Sequence, residues 1–188
     1  MNMKNRNLLL LCVAALLAVT FSACNGNKKS PQVTEETPEA SAPDSTVYGV
    51  CGDATSMHSL QVITDVGDTL TYLVLDEGES PTDVQGGLMA GDHLAVVGVK
   101  KEGELMAKKV INLTSLLGRW TSIDKDFEIE DGGTVKSAVK AESKPWTYWK
   151  IFNGQLVLNK DTFEVTALGA DSLYLENDNG IFVFKRTK

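Results

Sequence analysis

Hydrophobic positions along the chain fall into three regimes. An unbroken apolar block covers Leu8 to Val19. From Asn25 to Ser45 the only large apolar residue is Val33, set among Pro31, Pro38, Pro43 and small polar or acidic side chains. From Thr46 onward apolar and polar residues come in short runs broken by Gly, Asn and Asp, and several runs alternate with a period of two, the mark of half-buried strands. In the first part of this region the predicted strands are Thr46–Ala54, Leu60–Ile63, Leu70–Leu75, Asp92–Val99 and Leu105–Leu113. Leu70, Tyr72 and Val74 alternate with Thr71, Leu73 and Leu75. The turn-rich span Asp76–Gly91 admits a short helix around Val84–Met89, against which its adjacent glycines weigh.

Beyond residue 116 the punctuation becomes regular. Predicted strands are Arg119–Ile123, Phe127–Glu130, Thr134–Lys140, Trp146–Phe152, Gln155–Asn159, Thr162–Leu168, Ser172–Glu176 and Ile181–Arg186. Asn153-Gly154 is a strong two-residue hairpin signal. Tight turns force sequential neighbours to pair antiparallel, so these strands form a meander able to close into a small barrel.

Two resemblances sharpen this all-β picture. Three strands, a connector and two strands is the order of the OB-fold, a five-stranded Greek-key barrel. The run Gly91-Asp92-His93-Leu94-Ala95-Val96-Val97-Gly98, followed by Ala107-Lys108-Lys109-Val110-Ile111, resembles the fourth and fifth strands of OB modules. Further on, Leu116-Leu117-Gly118-Arg119-Trp120 resembles the Gly-x-Trp opening of lipocalin-like domains. Phe127 to Thr134 resembles the strand and Asp-Gly turn that follow it, and Leu173 to Arg186 fits the ending. The expected organisation is an OB-like β domain over residues 46–115 and a small antiparallel up-and-down lipocalin-like barrel over 116–188. The second resemblance implies that Trp120 packs under Arg186 through a cation–π contact. It also implies an apolar ligand pocket, for which Trp120, Trp146, Trp149 and Phe163 are the candidate lining residues. A barrel this short also needs its aromatics for stability, and core filling is the favoured reading of them.

The start of the chain supplies an address. Lys4 and Arg6 precede the apolar block, which falls short of the roughly 20 residues that cross a bilayer, and small residues follow it, as in a secretory signal. Ser22-Ala23-Cys24 resembles the lipobox of bacterial lipoproteins, with Phe21 where leucine is commonest. That resemblance implies removal of residues 1–23, diacylglycerol on the Cys24 thiol and palmitate-type acylation of the new amino group. Two or more chains hold a protein stably on a membrane. Residues 24–45 read as a flexible tether, because they carry too little apolar surface to repay ordering. Asn25-Gly26-Asn27-Lys28-Lys29 lacks the acidic pattern of surface export, and no Asp adjoins Cys24. The expected location is the outer membrane, facing the periplasm.

Charge and candidate chemistry mostly exclude. Removing Lys4 and Arg6 from 18 basic residues leaves 16 against 25 acidic ones, a mature net charge of −9. Such a surface repels phosphate backbones, so no nucleic acid partner is expected. Cys51 is the only cysteine left after Cys12 is removed and Cys24 is lipidated, and it reads as a small buried strand residue. His58 and His93 lack a second ligand at metal-binding spacing. Asp124, Asp126, Glu128, Glu130 and Asp131 lack the spacing of a calcium loop. Nucleophile elbows and phosphate-cradling glycine loops are absent from the sequence, so no enzyme, cofactor or metal is expected. Two function classes follow: an anchored binding module for a small apolar ligand, or an anchored module that meets another envelope protein through its surface.

Overall fold

The computed structural model describes residues 43–75, 81–139 and 144–187. Cys24, the predicted signal segment and the expected tether up to residue 42 lie outside the described residues.

Five strands make the first barrel: β1 (Val47–Cys51), β2 (Ser59–Thr64), β3 (Thr69–Leu73), and, after the short strand β4 (Asp83–Gln85), β5 (His93–Lys101) and β6 (Glu104–Asn112). Their order is β3-β2-β1-β5-β6, and a parallel pairing of Tyr72 with Leu105 and Leu73 with Met106 closes the ring. This is the OB-like barrel expected from strand order. The alternation of β2 and β5 turns Leu60, Val62, Leu94 and Val96 inward, where Tyr72, Val110 and Cys51 join them. No helix forms over Val84–Met89. Val84 pairs instead with Val110 as β4 runs parallel to β6. Gly86 and Gly87, both at positive φ (87° and 81°), then turn the chain in a way that no α-helix continues.

A four-residue helix, α1 (Leu113–Leu116), joins the barrels. Asn112 caps it by accepting from the Ser115 N–H at 2.8 Å. The second barrel contains β7 (Gly118–Thr121), β8 (Asp126–Ile129), β9 (Val135–Ser137), β10 (Trp149–Phe152), β11 (Gln155–Leu158), β12 (Asp161–Leu168), β13 (Ser172–Asn177) and β14 (Gly180–Thr187). Each of the eight predicted strands is present, with β9 ending earlier and β10 starting later than expected. The order β10-β11-β12-β13-β14-β7-β8-β9 is an antiparallel meander. Between β9 and β10 the join is thin: a lone Thr134–Tyr148 bridge and the Val135 N–H to the Thr147 carbonyl at 3.0 Å. The barrel is therefore nearly closed. Asn153 and Gly154 take positive φ (49° and 77°), as a two-residue hairpin turn requires.

The described residues belong to one compact unit, and its seam is polar as well as apolar. Lys109 of β6, paired with Asp83 of neighbouring β4 at 2.9 Å, reaches across to the Glu164 carboxylate and to the Val165 carbonyl at 3.3 Å. Gln85 accepts from the Leu168 N–H at 3.1 Å. The Tyr48 hydroxyl donates to the Ile151 carbonyl at 2.7 Å. Ala95, Ile111, Leu113 and Leu116 pack into the same apolar cluster as the second barrel's core.

The chain enters at this seam too. Asn153 Oδ1 accepts from the Ser45 N–H and hydroxyl at 2.8 and 2.9 Å, and the Asn153 N–H donates to Asp44 at 3.2 Å.

Candidate functional site

Aromatic rings fill the interior of the second barrel. Phe127 meets Trp146 and Phe184 edge to face at 5.0 and 5.1 Å, and Trp146 meets Phe163 at 5.7 Å. These four side chains are buried. Edge-to-face pairing places the positive rim of one ring on the negative face of the next, which stabilises the cluster beyond its buried area.

At the end of the barrel facing α1, Trp120 is fully buried and donates its indole N–H to the Leu116 carbonyl at 2.9 Å. The Arg186 guanidinium lies 4.2 Å from its ring, so the expected cation–π contact is present. Arg186 also donates to the carbonyls of Ala170 and Leu117 at 2.7 Å each, and to that of Ser115. It thereby satisfies carbonyls left open at the end of α1. Burial lowers the Arg186 pKa. Gly118 has φ of 120°, and a Cβ there would sit 2.6 Å from the Arg186 Nη1, so only glycine fits beneath the guanidinium.

The four aromatic candidates do not gather into one pocket. Trp146 and Phe163 touch; Trp120 lies under Arg186. Trp149 donates its indole N–H to the Glu130 carbonyl at 2.7 Å and lines a separate cleft of about 550 Å³ at the seam, with Tyr48, His93 and Ile151.

A second cleft, of about 640 Å³, opens at the far end of the barrel. One wall is the β7–β8 turn, Thr121 to Lys125; the other is Ile181 to Lys185 of β14, and Trp146 lies between them. Ile123 is fully exposed, and Ile181 is 64% exposed. Lys125 stands 4.3 Å from the centre of the Trp146 ring. Trp146 is one of the site residues expected from sequence, whereas Ile123, Ile181 and Val183 are not. An isoleucine at the tip of a turn was the signal available.

The acidic run from Asp124 to Asp131 is largely engaged by bases and backbone. Arg119 makes a bidentate pair with Asp126, at 2.8 and 2.6 Å, and Lys136 pairs with Glu130. The hydrogen bond from Arg119 holds the Asp126 pKa below its ordinary value. Asp131 accepts from the Gly132 N–H at 2.8 Å. His93 is hydrogen-bonded to Asp65 at 2.9 Å. Among the described residues no group of three or more His, Cys, Asp or Glu side chains is arranged to hold a metal ion. Cys51 is buried, with its sulfur 3.3 Å from the Thr55 hydroxyl.

No protein-family model, curated protein or solved structure matches the chain.

Proposed function

We propose that this chain is a non-enzymatic bacterial envelope lipoprotein, held on the outer membrane by lipid on Cys24, whose two-barrel head meets another envelope protein through its surface. The observation that supports this reading over an internal ligand site is the packing of Phe127, Trp146, Phe163 and Phe184. A lipocalin-like barrel that carried its ligand inside would need that volume empty. The anchor follows from the resemblance of Ser22-Ala23-Cys24 to a lipobox.

Two measurements test the two halves of the proposal. Fractionation of bacteria making the Cys24→Ala chain should move it from the membrane to the soluble pool; retention on membranes would overturn the anchor. In-envelope cross-linking followed by mass spectrometry should recover one reproducible protein partner, and its absence would count against the interaction reading.

A second reading is favoured by the rim cleft, whose walls are rich in apolar side chains. There a small apolar ligand would lie against Trp146 rather than inside the barrel. Titration with fatty acids, haem and bile-type amphiphiles should shift tryptophan emission if this reading holds, and no shift with any of them would exclude it.

A further inference from the structure

The rim cleft is a place where two paired strands separate. Strands β7 and β14 pair only at Thr121–Lys185, Trp120–Arg186 and Arg119–Thr187. Beyond Thr121 the chain leaves β14: the Ser122 N–H turns to the Lys125 carbonyl at 2.7 Å, closing the β7–β8 turn on itself. Strand β14 continues past that point to Gly180, paired on its other side with β13 in unbroken register.

Backbone polarity within β14 follows from one bond. In an antiparallel ladder successive residues direct their N–H and C=O alternately to the two neighbours. The Arg186 N–H donates to the Asp171 carbonyl on the β13 side at 2.8 Å. Phe184 and Phe182 therefore face β13, while Lys185, Val183 and Ile181 face β7. Lys185 finds Thr121 there. Val183 and Ile181 find the cleft, and neither makes a backbone hydrogen bond across it among the described residues.

Edge strands are ordinarily protected by charge, proline or cover. Here the two open positions are an isoleucine and a valine, with exposed Ile123 on the facing wall.

We infer that this opening is a strand-addition site, which takes one extended peptide segment of an envelope protein and pairs it with Ile181 and Val183. The inference rests on the interaction reading above and names its surface. The occupant's class follows from the open groups. The two N–H and C=O sets, two residues apart along β14, repeat at about 6.8 Å, the two-residue step of a strand, and a polypeptide presents complementary groups at that spacing. A cleft of about 640 Å³ accommodates a short segment rather than a folded sheet. Charge refines the fit: the cleft lining holds Lys125 and Lys185 against the single acid Asp124, and Lys185 has no ion pair among the described residues. The best segment is apolar at alternate positions with an acid at one end.

The test uses the full mature chain in phospholipid nanodiscs and the probe acetyl-Glu-Val-Thr-Val-Thr-Val-amide. Two twins of the probe are N-methylated, one at every valine and one at every threonine. Pairing through one peptide edge predicts that one twin binds at least tenfold more weakly than the parent while the other stays within about threefold. Equal effects in both twins, or no saturable binding of the parent, would overturn the proposal. Val183→Pro removes the N–H that faces the cleft and leaves the bonds of Phe182 and Phe184 to β13, so it should weaken the parent at least tenfold. Ile181→Pro, which removes the other N–H that faces the cleft, is the parallel variant if Val183→Pro disturbs folding; both are checked by near-ultraviolet circular dichroism, and unchanged binding in a folded variant also overturns the proposal. A cross-linked partner whose adducts map away from residue 181 would leave the interaction reading standing and remove this site.

Discussion

Arg186 ties β14 to α1 and to the β12–β13 turn through three backbone carbonyls, and it covers the face of Trp120. Lysine keeps the charge but cannot reproduce the planar fork or the stack. Arg186→Lys should therefore cost about 1–3 kcal/mol in urea unfolding, the range for buried polar groups left unpaired. Trp120→Phe keeps an aromatic face but removes the indole N–H, stranding the Leu116 carbonyl, and part of the buried ring, so a loss of at least similar size is expected.

Asp44 provides a pH-dependent example. Its burial raises the pKa, but hydrogen bonds from Thr46 and Asn153 outweigh that and leave it below the ordinary 3.8. The stabilisation from ionised Asp44 is therefore present above about pH 4 and fades as pH falls through the folded value. Asp44→Ala should lower stability at neutral pH by only a small amount, because the group is solvent-screened, and the difference from wild type should shrink in melts taken below pH 3.8. Residue pairs of this kind were unequally legible in sequence. The Trp120–Arg186 contact was expected from a resemblance to lipocalin-like openings and endings, whereas the partners of Asn153 and Lys109 are set by how the barrels meet, which no local pattern encodes.

Strands were legible where alternation and turn residues agreed, as at Asn153-Gly154 between β10 and β11. They were misread where glycine and tertiary pairing competed. The span around Val84 looked weakly helical, yet β6 offered a parallel partner and Gly86 and Gly87 turned the chain away from helix. Strand ends were least legible: Trp146 lies before β10 because its ring serves the core and its indole N–H reaches Asp161 at 3.3 Å.

The Asn153 turn has two duties that substitution separates. Asn153→Gly retains the left-handed backbone and loses the side-chain bonds to Ser45, an expected cost of about 1 kcal/mol. Asn153→Ala loses both and should cost about 1 kcal/mol more. Thermal unfolding of the two variants side by side checks the order.

At the scale of the whole molecule, the apolar cluster of the second barrel runs into α1 and the outer face of β5 and β6, and Lys109 and Gln85 cross the same seam to Glu164 and Leu168. The two barrels should therefore unfold in one calorimetric transition, with calorimetric and van't Hoff enthalpies equal. Two resolved transitions would contradict a shared core. The all-β class, the five-strand closure and the eight-strand meander were all legible, because each depends on strand order and turns. The rim opening was not, since where β7 stops relative to β14 is a matter of pairing between distant segments.

Site-specific photo-cross-linking in the intact envelope tests most directly the proposal that a filled barrel works through its β14 edge. A photoreactive residue at position 181 should give one reproducible protein adduct, absent from the same chain carrying Val183→Pro and absent when the probe is moved to the exposed Val66 of the first barrel. Adducts equal at both positions, or unaffected by Val183→Pro, would contradict it.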